Sequence, residues 1–274
     1  MTEKSEADIA YSNGDFIPEG ESYPARWAAA AASFRAGASG TLGLRYGPSA
    51  RQVYDLFLPD RPARGTVIFV HGGYWLAGDG SLWSHLAAGP LARGWAVAVA
   101  TYDLCPDVAL LQITSQITTL VGVIAKARPG PIVLAGHSAG GHLVARMGDP
   151  KVLPDPDKRI ARIIPISPLS DLVPLMDTAM KDPLGLDENN AAAESPRRQP
   201  APPCPVTVWV GADERPVFLD QARWLGEAWH CPVVIEHARH HFDVIAGLSD
   251  PDHPLTGAVT EGTVPQKWRS DLRT

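Results

Sequence analysis

The motif Gly-His-Ser-Ala-Gly at 136–140 lies between two segments of different pattern. The apolar run PIVLA at 131–135 comes before it, and the helix-compatible segment GHLVARM at 141–147 follows. A strand that passes directly into a helix bends sharply, and the flanking glycines remove the Cβ atoms that would collide at the bend. The motif therefore predicts that Ser138 sits at a helix N-terminus, where the N–H of Ala139 faces developing negative charge.

Short apolar runs alternate with longer helical patterns along the rest of the chain. The runs at 66–70, 96–100 and 131–135 lack polar alternation, as expected of parallel strands that helices cover on both sides. The predicted strands are Val53–Leu58, Thr66–Val70, Ala96–Tyr102, Ile132–Ala135, Ile163–Ile166, Val206–Val210 and Val233–Glu236. This order is typical of an α/β fold with a mostly parallel central sheet.

One predicted strand differs, and the helical segments lie between the strands. Residues 53–58 alternate in polarity, which favours an antiparallel strand at the rim of the sheet. Helices are predicted from near Tyr23 and over 81–93, 110–128, 142–147 and 217–229. We interpret 1–274 as a single domain with an N-terminal helical segment at about 20–37. The Pro- and Asp-rich stretch at about 168–204 is then a cap-like insertion.

Composition excludes several classes of protein. Hydrophobic residues at 45% and charged residues at 20% are enough for a large core, so a disordered chain is excluded. A net charge of −6 without a basic stripe argues against nucleic acid as a partner. Cys105, Cys204 and Cys231 fit neither a disulfide framework nor paired zinc ligands. The N-terminus has no signal-like apolar segment and no eighteen apolar residues run unbroken, so we expect a cytoplasmic protein without a membrane span.

A second glycine motif follows an upstream strand. The run TVIFV ends in His-Gly-Gly-Tyr-Trp at 71–75, where glycines let a loop turn its amides toward one oxygen atom. We expect the N–H groups of Gly73 and Tyr74 to join Ala139 in an oxyanion hole, with Gly72 shaping the loop. Tyr74 and Trp75 would narrow a substrate pocket, although both could equally be core aromatics.

An acid and a base are expected on later loops. Asp213 follows the strand run VTVWV and is preferred over Glu214, because it comes sooner after the strand and has the shorter side chain. His241 is preferred to its neighbour His240 as the general base. Ser138, His241 and Asp213 would thus act as nucleophile, base and acid. The same histidines with His237 could imitate a metal site, but no zinc-ligand spacing supports one, so no metal is expected.

These motifs together resemble the kynurenine formamidase (arylformamidase) branch of the α/β-hydrolase superfamily, near the hormone-sensitive-lipase-like esterases. The resemblance rests on HGGYW at 71–75, YDLCP at 102–106, GHSAGGHL at 136–143, SPLSDL at 167–172 and HHFDVI at 240–245, together with the Asp213 loop. It implies an α/β-hydrolase fold and a serine hydrolase with the same Ser138, His241 and Asp213.

Three functions remain open at this point, and the resemblance favours the first. The first is hydrolysis of a small acyl group, formyl by preference, from an arylamide such as N-formylkynurenine. The second is a carboxylesterase of short-chain or aryl esters, because esterases use the same acyl-transfer groups. The third is a binding module that captures a small ligand without turnover. We expect a small-molecule substrate and no cofactor, and we leave a homodimer open.

Overall fold

The computed structural model describes residues 4–155, 157–265 and 268. Its described strands form one mixed sheet in the order β1-β2-β4-β3-β5-β6-β7-β8. The strands are β1 Gly40–Arg45, β2 Val53–Phe57, β3 Thr66–Val70, β4 Ala96–Ala100, β5 Ile132–His137, β6 Ile160–Ile166, β7 Val208–Gly211 and β8 Val233–Glu236. From β4 to β8 every neighbouring pair is parallel, which confirms the predicted α/β class.

The central strands are buried on both faces, as their unbroken apolar runs predicted. Every residue of β3 and β4 is buried, and so is every residue of β5. Alternate side chains belong to two separate cores: Ile68 and Val70 pack on one face of β3, while Val67 and Phe69 pack on the other. Because each face needs its own apolar cover, helices lie on both sides of the sheet.

The edge of the sheet differs from the prediction. Strand β2 is antiparallel as expected, but it pairs with both β1 and β4 and is therefore not at the rim. The outermost strand is β1, Gly40–Arg45, which was not predicted. It contains two glycines and its residues are mostly exposed, so it carries no apolar signature and is held by main-chain pairing to β2.

The helices follow the predicted positions with some changes at their ends. The described α-helices are α1 Glu6–Tyr11, α2 Tyr23–Gly37, α3 Ala88–Ala92, α4 Leu110–Ala127, α5 Ala139–Arg146, α6 Lys181–Leu184, α7 Glu188–Ala193, α8 Pro216–Trp229 and α9 Pro254–Glu261. The described 3-10 helices are Gly14–Phe16, Gly20–Ser22, Gly80–Ala87, Val173–Asp177, Pro196–Arg198 and Val244–Ser249. The predicted helix at 81–93 is thus a 3-10 turn that passes into α3.

Among the described helices, α4 alone is long and apolar enough to cross a membrane by length and composition. Eight of its residues are buried, among them Ile113, Ile117, Leu120 and Ile124. These four are spaced three or four apart and belong to the core cluster that covers one face of the sheet. The helix therefore packs as a core helix of the α/β fold.

Two segments lie outside the sheet and its main covering helices. The segment predicted as an insertion, 168–204, consists of short helices between β6 and β7. Residues 5–22, which we call the N-terminal strap, contain α1 and two 3-10 turns ahead of α2. The loops after β3, β5, β6, β7 and β8 share one edge of the sheet, because the carboxyl ends of parallel strands lie together.

Candidate active site

Ser138 occupies the sharp turn that its motif predicted. It directly follows β5 and is the N-cap of α5, with φ 55° and ψ −117°. Its N–H donates to Ile166 O at 2.8 Å, and its carbonyl accepts from His142 N at 3.0 Å. A non-glycine residue with positive φ is strained, and such strain persists only where the surrounding structure holds it. Ser138 is 3% exposed.

The glycines of the motif allow close backbone approach. A Cβ atom on Gly136 would overlap Gly140 O, and one on Gly140 would overlap Val70 O, at the end of β3. Both obstructing atoms belong to the main chain, which cannot rotate away as a side chain can. The turn at Ser138 therefore requires glycine at both positions.

We expect Gly140→Ala to lower the free energy of unfolding by about 3 kcal/mol, because the new methyl group forces β3 and α5 apart. Gly122→Ala is the matched control. Gly122 lies inside α4 with no atom near its would-be Cβ, so alanine should stabilise that helix by about 0.5–1 kcal/mol. Urea unfolding, monitored by circular dichroism, measures the change in the free energy of unfolding for both variants. Equal unfolding midpoints for the two variants would contradict the steric argument.

The loop after β3 lies directly against Ser138. A Cβ on Gly72 would lie 3.0 Å from both His137 O and Ser138 Cβ, so the loop packs directly against the turn at Ser138. Gly73 and Tyr74 both have positive φ, at 118° and 56°. Among the described residues, the N–H groups of Gly73 and Tyr74 have no acceptor. The N–H of Ala139, in the first turn of α5, has no intrahelical acceptor either.

The two aromatic side chains of this loop, Tyr74 and Trp75, have different surroundings. Trp75 is fully buried in the core, with its ring edge-on to His142 at 5.0 Å between centroids. Its predicted role in substrate binding is therefore wrong, and the core interpretation holds. Tyr74 points to the N-terminal strap, where its hydroxyl donates to Tyr11 O at 3.0 Å and accepts from Asn13 Nδ2 at 2.9 Å.

The carboxylate beside His241 is Glu214. His241 Nδ1 donates to Glu214 Oε2 at 2.6 Å, and both side chains are buried. Asp213 is exposed and, among the described contacts, its side chain has none with His241, so the prediction of Asp213 as the partner is wrong. Adjacent residues in the tight turn after β7 point in opposite directions. The longer side chain of Glu214 folds back toward the strand end, whereas that of Asp213 reaches solvent.

Ser167 and Gly211 fix the other oxygen of Glu214. Ser167 Oγ donates to Glu214 Oε1 at 2.5 Å, and Gly211 N donates to the same oxygen at 2.8 Å. Ser167 follows β6 and has φ 48°, the left-handed region. Its role was not predicted, although it opens the SPLSDL motif. The carboxylate is thus held with one oxygen fixed and the other directed at the imidazole.

His137 places the His241 loop beside the serine. His137 Nε2 donates to His241 O at 2.9 Å, and the two rings lie 4.7 Å apart between centroids. Burial lowers the pKa of His137 well below its usual value, so its ring is neutral at pH 7. Within the described part of the chain no hydrogen bond joins Ser138 Oγ to His241. Such contacts are often long before substrate binds and then shorten.

His240 and His71 make hydrogen bonds to groups near the site. His240 Nε2 lies 3.0 Å from the hydroxyl of Tyr23, at the start of α2. His71 Nδ1 donates to Gly72 O at 2.6 Å and so holds the loop after β3. Burial lowers the pKa of His71 and of His142 to about 4, which keeps both rings neutral. Among the described residues, no group of three His, Cys, Asp or Glu is arranged to hold a metal ion.

Comparison with known proteins identifies the class of this chain. A family model described as alpha/beta hydrolase fold matches residues 67–197, which include both the Gly72 loop and Ser138. A crystal structure from Silicibacter sp. TM1040, of a protein named as a candidate thioesterase, is 52% identical to the chain. It superposes with a TM-score of 0.91 over 93% of this chain and 99% of that chain. The protein is therefore a serine hydrolase with the α/β-hydrolase fold.

Curated relatives narrow the class to a family. Kynurenine formamidase of Drosophila melanogaster is 31% identical over 236 residues, 76% of this chain and 77% of its own length. Kynurenine formamidase of Danio rerio is 30% identical over 230 residues, 77% and 78% of the two chains. The chain belongs to the kynurenine formamidase family, as its motifs suggested.

Proposed function

We propose that this protein hydrolyses the formamide of an arylamine, such as N-formylkynurenine, through a formyl-enzyme intermediate. The observation that carries the proposal is the buried pair of His241 and Glu214 beside the strained Ser138, in a chain whose curated relatives are kynurenine formamidases. The pair supports a general base with a fixed tautomer. The relatives supply the substrate class.

In the first step, Ser138 Oγ attacks the formyl carbonyl carbon while Nε2 of His241 takes the hydroxyl proton. The Nδ1–H of His241 donates to Glu214, which holds the neutral tautomer and stabilises the imidazolium that forms. The tetrahedral oxyanion accepts from the N–H groups of Gly73, Tyr74 and Ala139. Each such donor stabilises the transition state by about 3 kcal/mol.

The intermediate then collapses. His241 returns the proton to the departing nitrogen, the C–N bond breaks, and a formyl ester remains on Ser138. Water enters, His241 takes one of its protons, and the resulting hydroxide equivalent attacks the formyl carbon. Formate leaves, and the proton on His241 restores the Ser138 hydroxyl.

Hydrolysis of esters or thioesters is the second candidate. It is favoured by the 52% identity to the Silicibacter protein, which is named for thioester cleavage. The same groups would act, because serine attack and stabilisation of the oxyanion are common to the hydrolysis of amides, esters and thioesters. The two candidates differ in the leaving group rather than in the nucleophile.

A matched substrate panel separates these candidates. We expect kcat/KM for N-formylkynurenine to be within tenfold of that for phenyl formate and well above that for p-nitrophenyl acetate or an acyl-coenzyme A. An ester or thioester preference of about 10³-fold or more over every formamide, equivalent to about 4 kcal/mol of transition-state binding, would refute formamidase activity. Ser138→Ala serves as the blank for each substrate.

A further inference from the structure

The imidazole of His241 packs against an aromatic ring that the mechanism above does not use. The rings of Phe218 and His241 lie 4.3 Å apart between centroids, with 46° between their planes. Phe218 is fully buried in the first turn of α8, the helix that follows Glu214 along the chain. One segment therefore supplies two neighbours of the base, the carboxylate of Glu214 at Nδ1 and the ring of Phe218 beside the imidazole.

The N-terminal strap holds Phe218 in place. The ring of Tyr11 packs against Phe218 at 6.0 Å between centroids, with 72° between the planes. Gln221 Nε2, also on α8, donates to the Tyr11 hydroxyl at 3.1 Å, and Tyr11 O accepts from the hydroxyl of Tyr74 at 3.0 Å. Because the ring of Phe218 is buried and held before substrate binds, its interaction with His241 needs no rearrangement during the reaction.

Phe218 is close enough to His241 to stabilise a positive charge on the imidazole. An aromatic ring attracts a cation within about 6 Å of its centroid, and most strongly where water is excluded. Phe242 is 6.2 Å from the imidazole, outside that distance. His137 lies 4.7 Å away but is neutral, because burial lowers its pKa well below the usual value. Among the described contacts of the imidazole, the only charged side chain is that of Glu214.

We propose that the ring of Phe218 stabilises the imidazolium of His241, and with it the transition states in which His241 holds the proton of Ser138. Phe218 touches no reacting atom, so it is a positioning residue that acts through the base. The proposal rests on the general-base role of His241 in the proposed function. It applies to amide and ester hydrolysis alike, because both reactions place a proton on His241.

Fluorinated phenylalanines at position 218 test the proposal, because fluorine withdraws electrons from the face of the ring with little change in its shape. We expect Phe218→4-fluorophenylalanine and Phe218→3,4,5-trifluorophenylalanine to move the midpoint of the rising limb of the pH profile of kcat/KM to lower pH. The shift should be about one pH unit in the trifluoro variant. A less stabilised imidazolium makes His241 a weaker base, so the plateau kcat for phenyl formate should fall by the same factor, about tenfold.

Phe34→3,4,5-trifluorophenylalanine is the matched control, since Phe34 of α2 packs at 5.1 Å against Phe57 of β2. It should leave both the midpoint and the plateau unchanged. A lower plateau at an unmoved midpoint would show that Phe218 only shapes the packing, and a series without any change would also overturn the proposal. If the trifluoro variant does not fold, the monofluoro variant decides.

Failure of the proposed function gives different results. Wild-type activity in His241→Gln would refute the general base itself. Cleavage of phenyl formate without cleavage of formanilide by the wild-type enzyme would refute only the formamidase function, and the pH profiles for phenyl formate would still test Phe218.

Discussion

Ser138→Ala is expected to lower kcat by about 10⁶-fold on every substrate that the wild-type enzyme cleaves. The hydroxyl is the only group that this substitution removes, and no acyl-enzyme can form without it. Alanine keeps the Cβ atom and adds no atom to this buried position, so the elbow at φ 55° should be preserved. Formate release measured with purified enzyme gives the rate, and circular dichroism shows whether the fold is intact.

Ser115→Ala is the control for that experiment. Ser115 lies on the exposed side of α4, and its replacement should leave kcat within a factor of two. A fluorophosphonate probe gives a second measurement that does not depend on the substrate. Mass spectrometry should find the adduct on Ser138 in the wild type and in Ser115→Ala. Full turnover by Ser138→Ala, or labelling of another residue, would contradict the assignment of the nucleophile.

Glu214→Gln is expected to lower kcat by about 10⁴-fold while the protein stays folded, by analogy with the equivalent change in serine proteases. The glutamine oxygen can still accept from Ser167 Oγ and Gly211 N, which fixes the amide orientation. Its NH₂ group then faces Nδ1 of His241 and donates to it. The imidazole proton is thereby moved to Nε2, the nitrogen that must take the serine proton.

Asp213→Asn is the matched control, because the neighbouring residue loses a charge in the same turn. The Asp213 side chain is exposed, so we expect kcat within threefold of the wild type. Steady-state kinetics of both variants with one formate ester as substrate measures these changes in kcat. A large loss of kcat in Asp213→Asn, with near-normal kcat in Glu214→Gln, would instead identify Asp213 as the acid, as the sequence analysis predicted.

Much of the fold could be predicted because its signals are local. Strands β3 and β8 have the predicted bounds, and α4 and α8 differ from prediction by one residue at one end. These strands carry unbroken apolar runs, and each of these helices buries one face of helically spaced apolar residues. Strand β1 was missed because an exposed strand with two glycines is stabilised by its partner rather than by its own side chains.

The strap was missed for a different reason. Its short helix and two 3-10 turns have no long apolar pattern, and its position depends on individual contacts with distant residues. Tyr74 is 61 residues from Asn13, and Gln221 is 210 residues from Tyr11. The pattern of apolar residues within the strap does not indicate which distant residues it contacts.

The sequence by itself determined that Ser138 lies at a glycine-bounded turn between a strand and a helix, because the neighbouring residues impose that geometry. It also determined the α/β class, because buried parallel strands need apolar side chains on both faces. Only the tertiary structure decided between Asp213 and Glu214, and it placed Trp75 in the core and Asn13 beside Tyr74. Those outcomes depend on the direction of single side chains in turns, where adjacent residues point apart and residues distant in the chain supply the partners.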